Sequence, residues 1–259
     1  MQSLSARFAA EMAQAANFVQ LMQSIRDLTK LDLAHFRSRH LVAVAVRSLH
    51  RDGLAFSSTP IAFDGIYLAI CARFELTVRE LMERFVESLV AGVPAHKHLP
   101  EAVREWHAKG CASLILHLGE ERFKHLTVDA LIGNLASCLD ASKTGVYKLT
   151  PEAYSYNERN FRASEIDNVL TERLGLKKIW QKLARRPKLI SWSGASHPDT
   201  VENLARRTLD TCIGRRNAII HRGRSYYTPG PSEVIECARY LAILIECTGE
   251  VMTDYKASL

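Results

Sequence analysis

Apolar residues recur at helical spacing along almost the whole chain, and that period constrains the fold more than any other feature. Phe8, Met12, Ala15, Val19 and Met22 follow one another in steps of four and three, and Val234, Cys237, Tyr240, Leu241, Leu244 and Ile245 form a second such face near the other end. Residues so spaced lie on one side of an α-helix, and a helix with one apolar side needs a partner surface. A half-buried strand would instead alternate every second residue, and no segment does so convincingly. The spacing predicts an all-α protein with no internal repeat.

Capping residues divide this helical pattern into elements. Thr59-Pro60 is a helix start, and its helix runs to Gly92 ahead of Val93-Pro94. Pro100 opens a second long helix that ends near Gly119, and Thr127 caps a third that ends near Ala141. Thr150-Pro151 opens a single turn, Ser164 caps a short helix ending at Gly175, and another short helix reaches about Ala184. Arg185 to Pro198 reads as a basic loop. A long helix follows from Asp199 to Arg222, with Gly223 placed as its C-terminal cap. Pro231 opens the last helix. The stripe that begins at Phe8, with a second helix from Leu33 to His50 stopped by Gly53, makes an N-terminal helical hairpin over residues 1–58. Residues 59–259 then form a bundle of long helices.

Composition narrows the chemistry. The chain has 259 residues, 47% of them hydrophobic, enough for a sizeable core. Its six cysteines form no C-x-x-C pair and have no histidine at zinc-finger spacing, so they read as small core residues of a reducing compartment. The pairs His96/His98 and His117/His125 have neither helix-face spacing nor a convincing nearby carboxylate, and read as surface or core histidines. There is no Walker loop, no G-x-G-x-x-G after a strand, no H-E-x-x-H and no G-x-S-x-G, so no cofactor and no metal are expected. Arg7 and Glu11 interrupt the one early stretch that might have served as a secretory leader, and no apolar run approaches membrane-spanning length. The expectation is a soluble, cytoplasmic protein with no membrane partner.

Charge is unevenly spread. Of 34 basic residues 23 are arginine, whose planar fork suits phosphate oxygens, and the formal net charge is +6. Lys177 to Arg224 alone carries a net +9, while everything else sums to −3. A solvated basic face and a nucleic-acid footprint both fit this asymmetry.

Within that segment stands Gly214-Arg215-Arg216-Asn217-Ala218-Ile219-Ile220-His221-Arg222-Gly223. An Arg five positions before a His is weak by itself; an Asn directly after the Arg, at the end of a long helix, makes it more specific. Asn217 and His221 are i and i+4, stacked on one helix face, so the amide is placed to orient the imidazole. Arg216 lies about 140° around the helix from His221, so only its long arm reaches the same pocket. From the residues alone, a capping histidine beside two solvated arginines fits equally well.

Arg216-Asn217-x-x-x-His221 resembles the R-N-x-x-x-H signature of HEPN (higher eukaryotes and prokaryotes nucleotide-binding) ribonucleases. The likeness is fuller to the RiboL-PSP-HEPN branch. It extends in order through Ala72-Arg73-Phe74-Glu75-Leu76-Thr77-Val78-Arg79-Glu80-Leu81, Asn157-Glu158-Arg159-Asn160-Phe161-Arg162, Ile166-Asp167-Asn168-Val169 and Arg173-Leu174-Gly175-Leu176. It covers roughly residues 61–250 and leaves the hairpin out. Family members commonly read Ile-Ala-His-Gly where this chain reads Ile219-Ile220-His221-Arg222-Gly223, which delays the glycine by one position.

The resemblance implies a HEPN-type helical bundle and a metal-independent endoribonuclease of the toxin or phage-defence type. Such an enzyme cleaves RNA by 2′-OH attack and leaves 2′,3′-cyclic phosphate and 5′-OH ends. His221 would move the proton, Arg216 would stabilise charge on the phosphorane, and Asn217 would orient His221 or contact phosphate. One Arg–His pair supplies too few groups for both proton transfers, so a homodimer with two motifs facing one cleft is expected, with an antitoxin or defence-system protein as a further partner. Arg215, Arg222 and Arg224 would hold flanking phosphates, and Tyr226 and Tyr227 would stack on bases; Glu75, read as a buried carboxylate, is a secondary candidate to pair with Arg216, an ordinary helix salt bridge being the favoured alternative. The alternative is a non-catalytic helical module that binds RNA or another protein.

Overall fold

Two long helices, α3 (Ile61–Gly92) and α11 (Pro231–Ala257), supply the largest shares of the buried side chains. They pack on each other, Phe74, Leu81, Phe85 and Leu89 of α3 and Leu241, Leu244, Val251 and Met252 of α11 being almost wholly withdrawn from water. The computed structural model of the chain describes residues 1–28, 30, 41–56, 61–144, 146–157, 159–221 and 228–259. Among these there is no strand, as the helical period requires.

Helix α1 (Gln2–Leu28) lies along α11 and also touches α3, burying Leu4, Phe8, Met12 and Val19 on its apolar stripe. Ion pairs Arg7–Glu80 (2.7 Å) and Arg73–Glu11 clasp its solvent edge to α3. Helix α2 (Leu41–Phe56) packs back on α1 and runs through Gly53, where the sequence suggested a stop. Residues 31–40, the expected first part of this helix, and the Thr59-Pro60 cap lie outside the described residues.

The remaining helices follow the caps closely. Helix α4 spans Glu101–Leu116 after Pro100, and α5 spans Val128–Thr144 with the Thr127 hydroxyl accepting the Ala130 N–H at 3.1 Å. The single turn α6 is Glu152–Ser155, α7 is Ala163–Leu174, and α8 is Ile179–Leu183. Gly175 ends α7 with φ +73°, a left-handed cap that glycine adopts without steric cost. The cap at the start of α7 is not Ser164: the helix begins at Ala163, whose N–H donates to Asp210 at 2.8 Å. The expected loop from Arg185 to Pro198 contains a further helix, α9 (Pro187–Ser193), which buries Leu189. Proline suggested a break there, yet at the first helical position it starts a helix. Helix α10 (Pro198–Ile220) buries Val201, Ala205, Leu209, Cys212, Ile213 and Ile219. Its backbone is tied to the core by Tyr240, which donates to the Ala205 carbonyl (2.6 Å), and Tyr67, which donates to that of Cys212 (3.3 Å).

On the α4 side, two features hold α6 in place. Gly110 faces α6 so closely that a Cβ there would lie 2.3 Å from the Ala153 carbonyl oxygen, which also accepts from the Trp106 indole at 3.0 Å. Buried His107 accepts the Thr150 N–H on Nε2 at 3.1 Å, stacks on Tyr154, and has its pKa pushed down to about 4 by burial.

Two outcomes follow for stability. The unfolded chain takes up a proton on His107 near its ordinary value of 6.5 and the folded chain only near 4. Between those values the unfolded state therefore binds more protons, so stability is complete above pH 6.5 and falls as the pH drops toward 4, by on the order of 2–3 kcal/mol. His107→Gln, which keeps an acceptor for Thr150, is expected to lose this acid-sensitive part when denaturant midpoints are compared at pH 7 and pH 4.5. Gly110→Ala is expected to destabilise by roughly 3 kcal/mol, because the overlap is with backbone rather than a movable side chain; an unchanged urea midpoint would refute the close approach.

Candidate active site

The motif residues occupy the last turns of α10. Arg215, Arg216 and Asn217 are half-buried, and His221 is the exposed C-cap, with φ −89° and its backbone N–H on the Asn217 carbonyl at 3.0 Å. Ile219 points into the core and anchors this end of the helix.

Asn217 does not hold the imidazole, contrary to the expectation from its spacing. Its Oδ1 accepts from Arg216 Nη1 at 3.0 Å and from Asn160 Nδ2 at 3.2 Å. A guanidinium is the stronger donor, and it captures the amide oxygen that lies beside it. Arg216 Nη1 also donates to Asn160 Oδ1 at 3.1 Å. The structure thus brings Arg216 and Asn217 together with Asn160, a residue to which sequence reasoning gave no role. The signal was present in the segment Asn157–Arg162, but nothing in the sequence says that it meets α10.

That segment connects α6 to α7, and it is pinned from several sides. Arg173 of α7 is buried and donates through Nη1 to the carbonyls of Tyr154 (2.9 Å) and Tyr156, and through Nη2 to Asn157 Oδ1 (3.3 Å). Its guanidinium lies 4.7 Å from the Trp106 ring centre. Arg79 of α3 donates to the Asn157 carbonyl at 3.2 Å and sits over Phe161, which is fully buried. Asp210 holds the Ala163 N–H where the segment enters α7. Arg159 and Arg162, which flank Asn160, are exposed.

Other expected site residues stand differently. Glu75 makes no ion pair with Arg216, and one of its oxygens is buried without a hydrogen bond. Its charge acts on Arg79, whose pKa burial and the nearby Arg122 hold down while Glu75 and Glu83 oppose them. Arg215 is paired with Glu233 at 2.8 Å, and Glu233 also accepts the Gly230 N–H that starts α11. Arg222, Arg224, Tyr226, Tyr227 and the Gly223 cap lie outside the described residues.

Space also divides the basic segment. Arg186 pairs with Asp254 at 2.6 Å and Lys188 with Glu246, both acids in the later part of α11. At about 1.5 Å per residue these acids stand roughly 20–30 Å along α11 from Glu233, which marks the motif end. The bases around Lys177–Lys188 therefore belong to another part of the surface. A polar cleft of about 450 Å³ between α4 and α7 reaches the pinned connection through Asn157 and Arg159, but is lined by none of the motif residues. Among the described residues no three His, Cys, Asp or Glu side chains cluster as metal ligands, and no helix is long and apolar enough to cross a membrane.

A family model described as RiboL-PSP-HEPN matches residues 61–254, which takes in the motif, the pinned connection, α3 to α10 and nearly all of α11. The chain belongs to the RiboL-PSP-HEPN family. Neither the curated proteins nor the solved structures give a match. Membership agrees with the all-α architecture and suggests a nuclease or other RNA-related function. Helices α1 and α2 precede the matched residues.

The bracing of this HEPN site is open to direct measurement. Lysine offers a point charge in place of the planar fork that serves three acceptors at Arg173. Arg173→Lys is expected to cost roughly 2 kcal/mol, a fall in Tm of about 5 °C. An unchanged melting curve would show that the connection is held without it.

Proposed function

We propose that this HEPN protein is a metal-independent endoribonuclease that cleaves by attack of a ribose 2′-OH on the adjacent phosphorus. The bond to the 5′-oxygen breaks, leaving 2′,3′-cyclic phosphate and 5′-OH ends. One observation carries the reading: among the described residues Arg216, in a motif of the ribonuclease type, is held by neutral amides and meets no carboxylate, while His221 stands exposed at the end of the same helix. The neighbouring Arg215 is tied to Glu233, and the structural Arg173, whose acceptors are also neutral, is buried, whereas Arg216 is only half-buried. An arginine whose charge is left unspent is suited to stabilising the extra negative charge of a pentacoordinate phosphorus. His221 takes the proton from the 2′-OH or returns one to the 5′-oxygen.

Both transfers need two such groups, and the motif lies on an open face. We accordingly propose a homodimer in which two motifs share one cleft. Arg162 and Arg159 serve as further phosphate contacts, and Arg222, Arg224, Tyr226 and Tyr227 also bind the RNA. We further propose that it serves as a toxin or phage-defence effector in the cytoplasm, restrained by a partner protein.

The test is incubation of the pure protein with RNA in EDTA, with analysis of the product ends. Cyclic-phosphate ends are expected from the wild type, and His221→Ala and Arg216→Ala are each expected to lower the rate by about 10²–10⁴-fold. Undiminished cleavage by His221→Ala would sink the reading. Salt-sensitive RNA binding without products would favour the non-catalytic module instead.

A further inference from the structure

Arg216 and Asn160 stand 56 residues apart in the chain and meet through a single nitrogen. Nη1 directs one hydrogen to Asn160 Oδ1 and the other to Asn217 Oδ1, and Asn160 Nδ2 closes the ring by donating to Asn217 Oδ1. Only one orientation of each amide satisfies all three bonds. Turning either over would set an NH2 group against the guanidinium. Both acceptors are neutral, so the ring fixes the arginine without cancelling its charge.

Five N–H groups belong to a guanidinium, and this ring uses the two on Nη1. The N–H of Nε and those of Nη2 have no acceptor among the described residues. Nε and Nη2 share one edge and offer two parallel N–H bonds, the fork that matches two oxygens of a phosphate. Asn160 is itself held firmly. Its carbonyl accepts the Arg162 N–H at 2.8 Å, the next residue, Phe161, is buried in the core, and Asp210 fixes the start of α7.

We propose that Asn160 is a positioning residue of the ribonuclease site: it grips Arg216 by Nη1 alone, so that the Nε/Nη2 edge of a fully charged guanidinium faces the phosphodiester. This rests on the ribonuclease reading above and adds a residue to it from outside the R-N-x-x-x-H motif. Asn160 acts through Arg216, so its loss weakens the transition state more than the bound substrate.

The experiment compares kcat and KM for RNA cleavage in wild type, Asn160→Ala, Asn160→Asp, Arg216→Ala and the Asn160→Ala/Arg216→Ala double variant, with Tm measured for each. Asn160→Ala is expected to lower kcat by about 10–100-fold with KM changed by less than about threefold, as a misplaced transition-state group does. In the Arg216→Ala background the same change is expected to cost nothing further, because its whole effect passes through that arginine. Asn160→Asp keeps an acceptor for Nη1 but neutralises the guanidinium, and a comparable loss of kcat is expected; if the alanine variant fails to fold, this variant carries the test. Unchanged kcat in folded Asn160→Ala would overturn the inference. So would wild-type kcat in Asn160→Asp, or an equal loss with and without Arg216, either of which would make Asn160 a brace for the loop. In those cases the ribonuclease reading stands. A wild type that cleaves no RNA overturns that reading, and this inference with it.

Discussion

The buried guanidinium of Arg173 is the interaction on which the site depends. A buried charge without a partner is costly, and here three neutral acceptors and the face of Trp106 surround it in place of a carboxylate. One acceptor, the Tyr154 carbonyl, lies in α6, and the other two belong to the stretch that leads from it toward α7. The demand of one cation for hydrogen bonds therefore fixes a connection that has no regular structure of its own. Gly110 and Trp106 hold α6 from the α4 side, Arg79 and Phe161 fix the middle, and Asp210 fixes the exit. The connection is thus specified by α3, α4, α7 and α10 together, and Asn160 inherits a defined position from all of them.

The electrostatics of the molecule look different in space than along the chain. A net +9 between Lys177 and Arg224 suggests one basic surface. In the fold, Arg186 and Lys188 answer acids late in α11, Arg206 approaches Asp167 and Glu202, and Arg215 answers Glu233. Much of the excess therefore joins helices to one another. Exposed pairs of this kind contribute little to stability, about 0–1 kcal/mol each. They do occupy the arginines, and so narrow the set with charge to spare. Among the described residues Arg216 remains in that set, and so does Arg162, which the linear charge count passed over because it lies outside the basic segment; Arg159 approaches Glu165 at 3.8 Å.

Local chemistry made much of the fold legible in advance. Pro100, Thr127, Pro151, Gly175 and Pro231 mark element ends by mechanisms confined to a few residues, and each stands at or next to the end of a helix. Errors arose where a residue type supports two outcomes or where the partner is distant. Pro187 starts α9 where a break was expected, Gly53 is carried inside α2, and the cap of α7 comes from Asp210, 47 residues away. The site divides in the same way. The spacing of Arg216, Asn217 and His221 is a local fact and could be read directly. The Oδ1 of Asn217 is shared by Arg216 and by Asn160, and Asn160 is brought to α10 by distant residues, Arg173, Phe161 and Asp210.

Neutral partners also explain why a buried framework and an open site are found side by side. Had Arg216 met Glu75, the pair would have been a familiar helix-to-helix tie, and the guanidinium would have had to break it before meeting a phosphate. Removing one partner of a buried pair typically costs about 3–5 kcal/mol, and that cost would be charged against every binding event. Two amides give most of the directional control and a fraction of that energy, since a neutral hydrogen bond contributes only about 1 kcal/mol net. Under the ribonuclease reading proposed above, the guanidinium is oriented before any phosphate arrives, and its charge is available to whichever state of the phosphate is most negative. That condition favours the transition state over the bound ester.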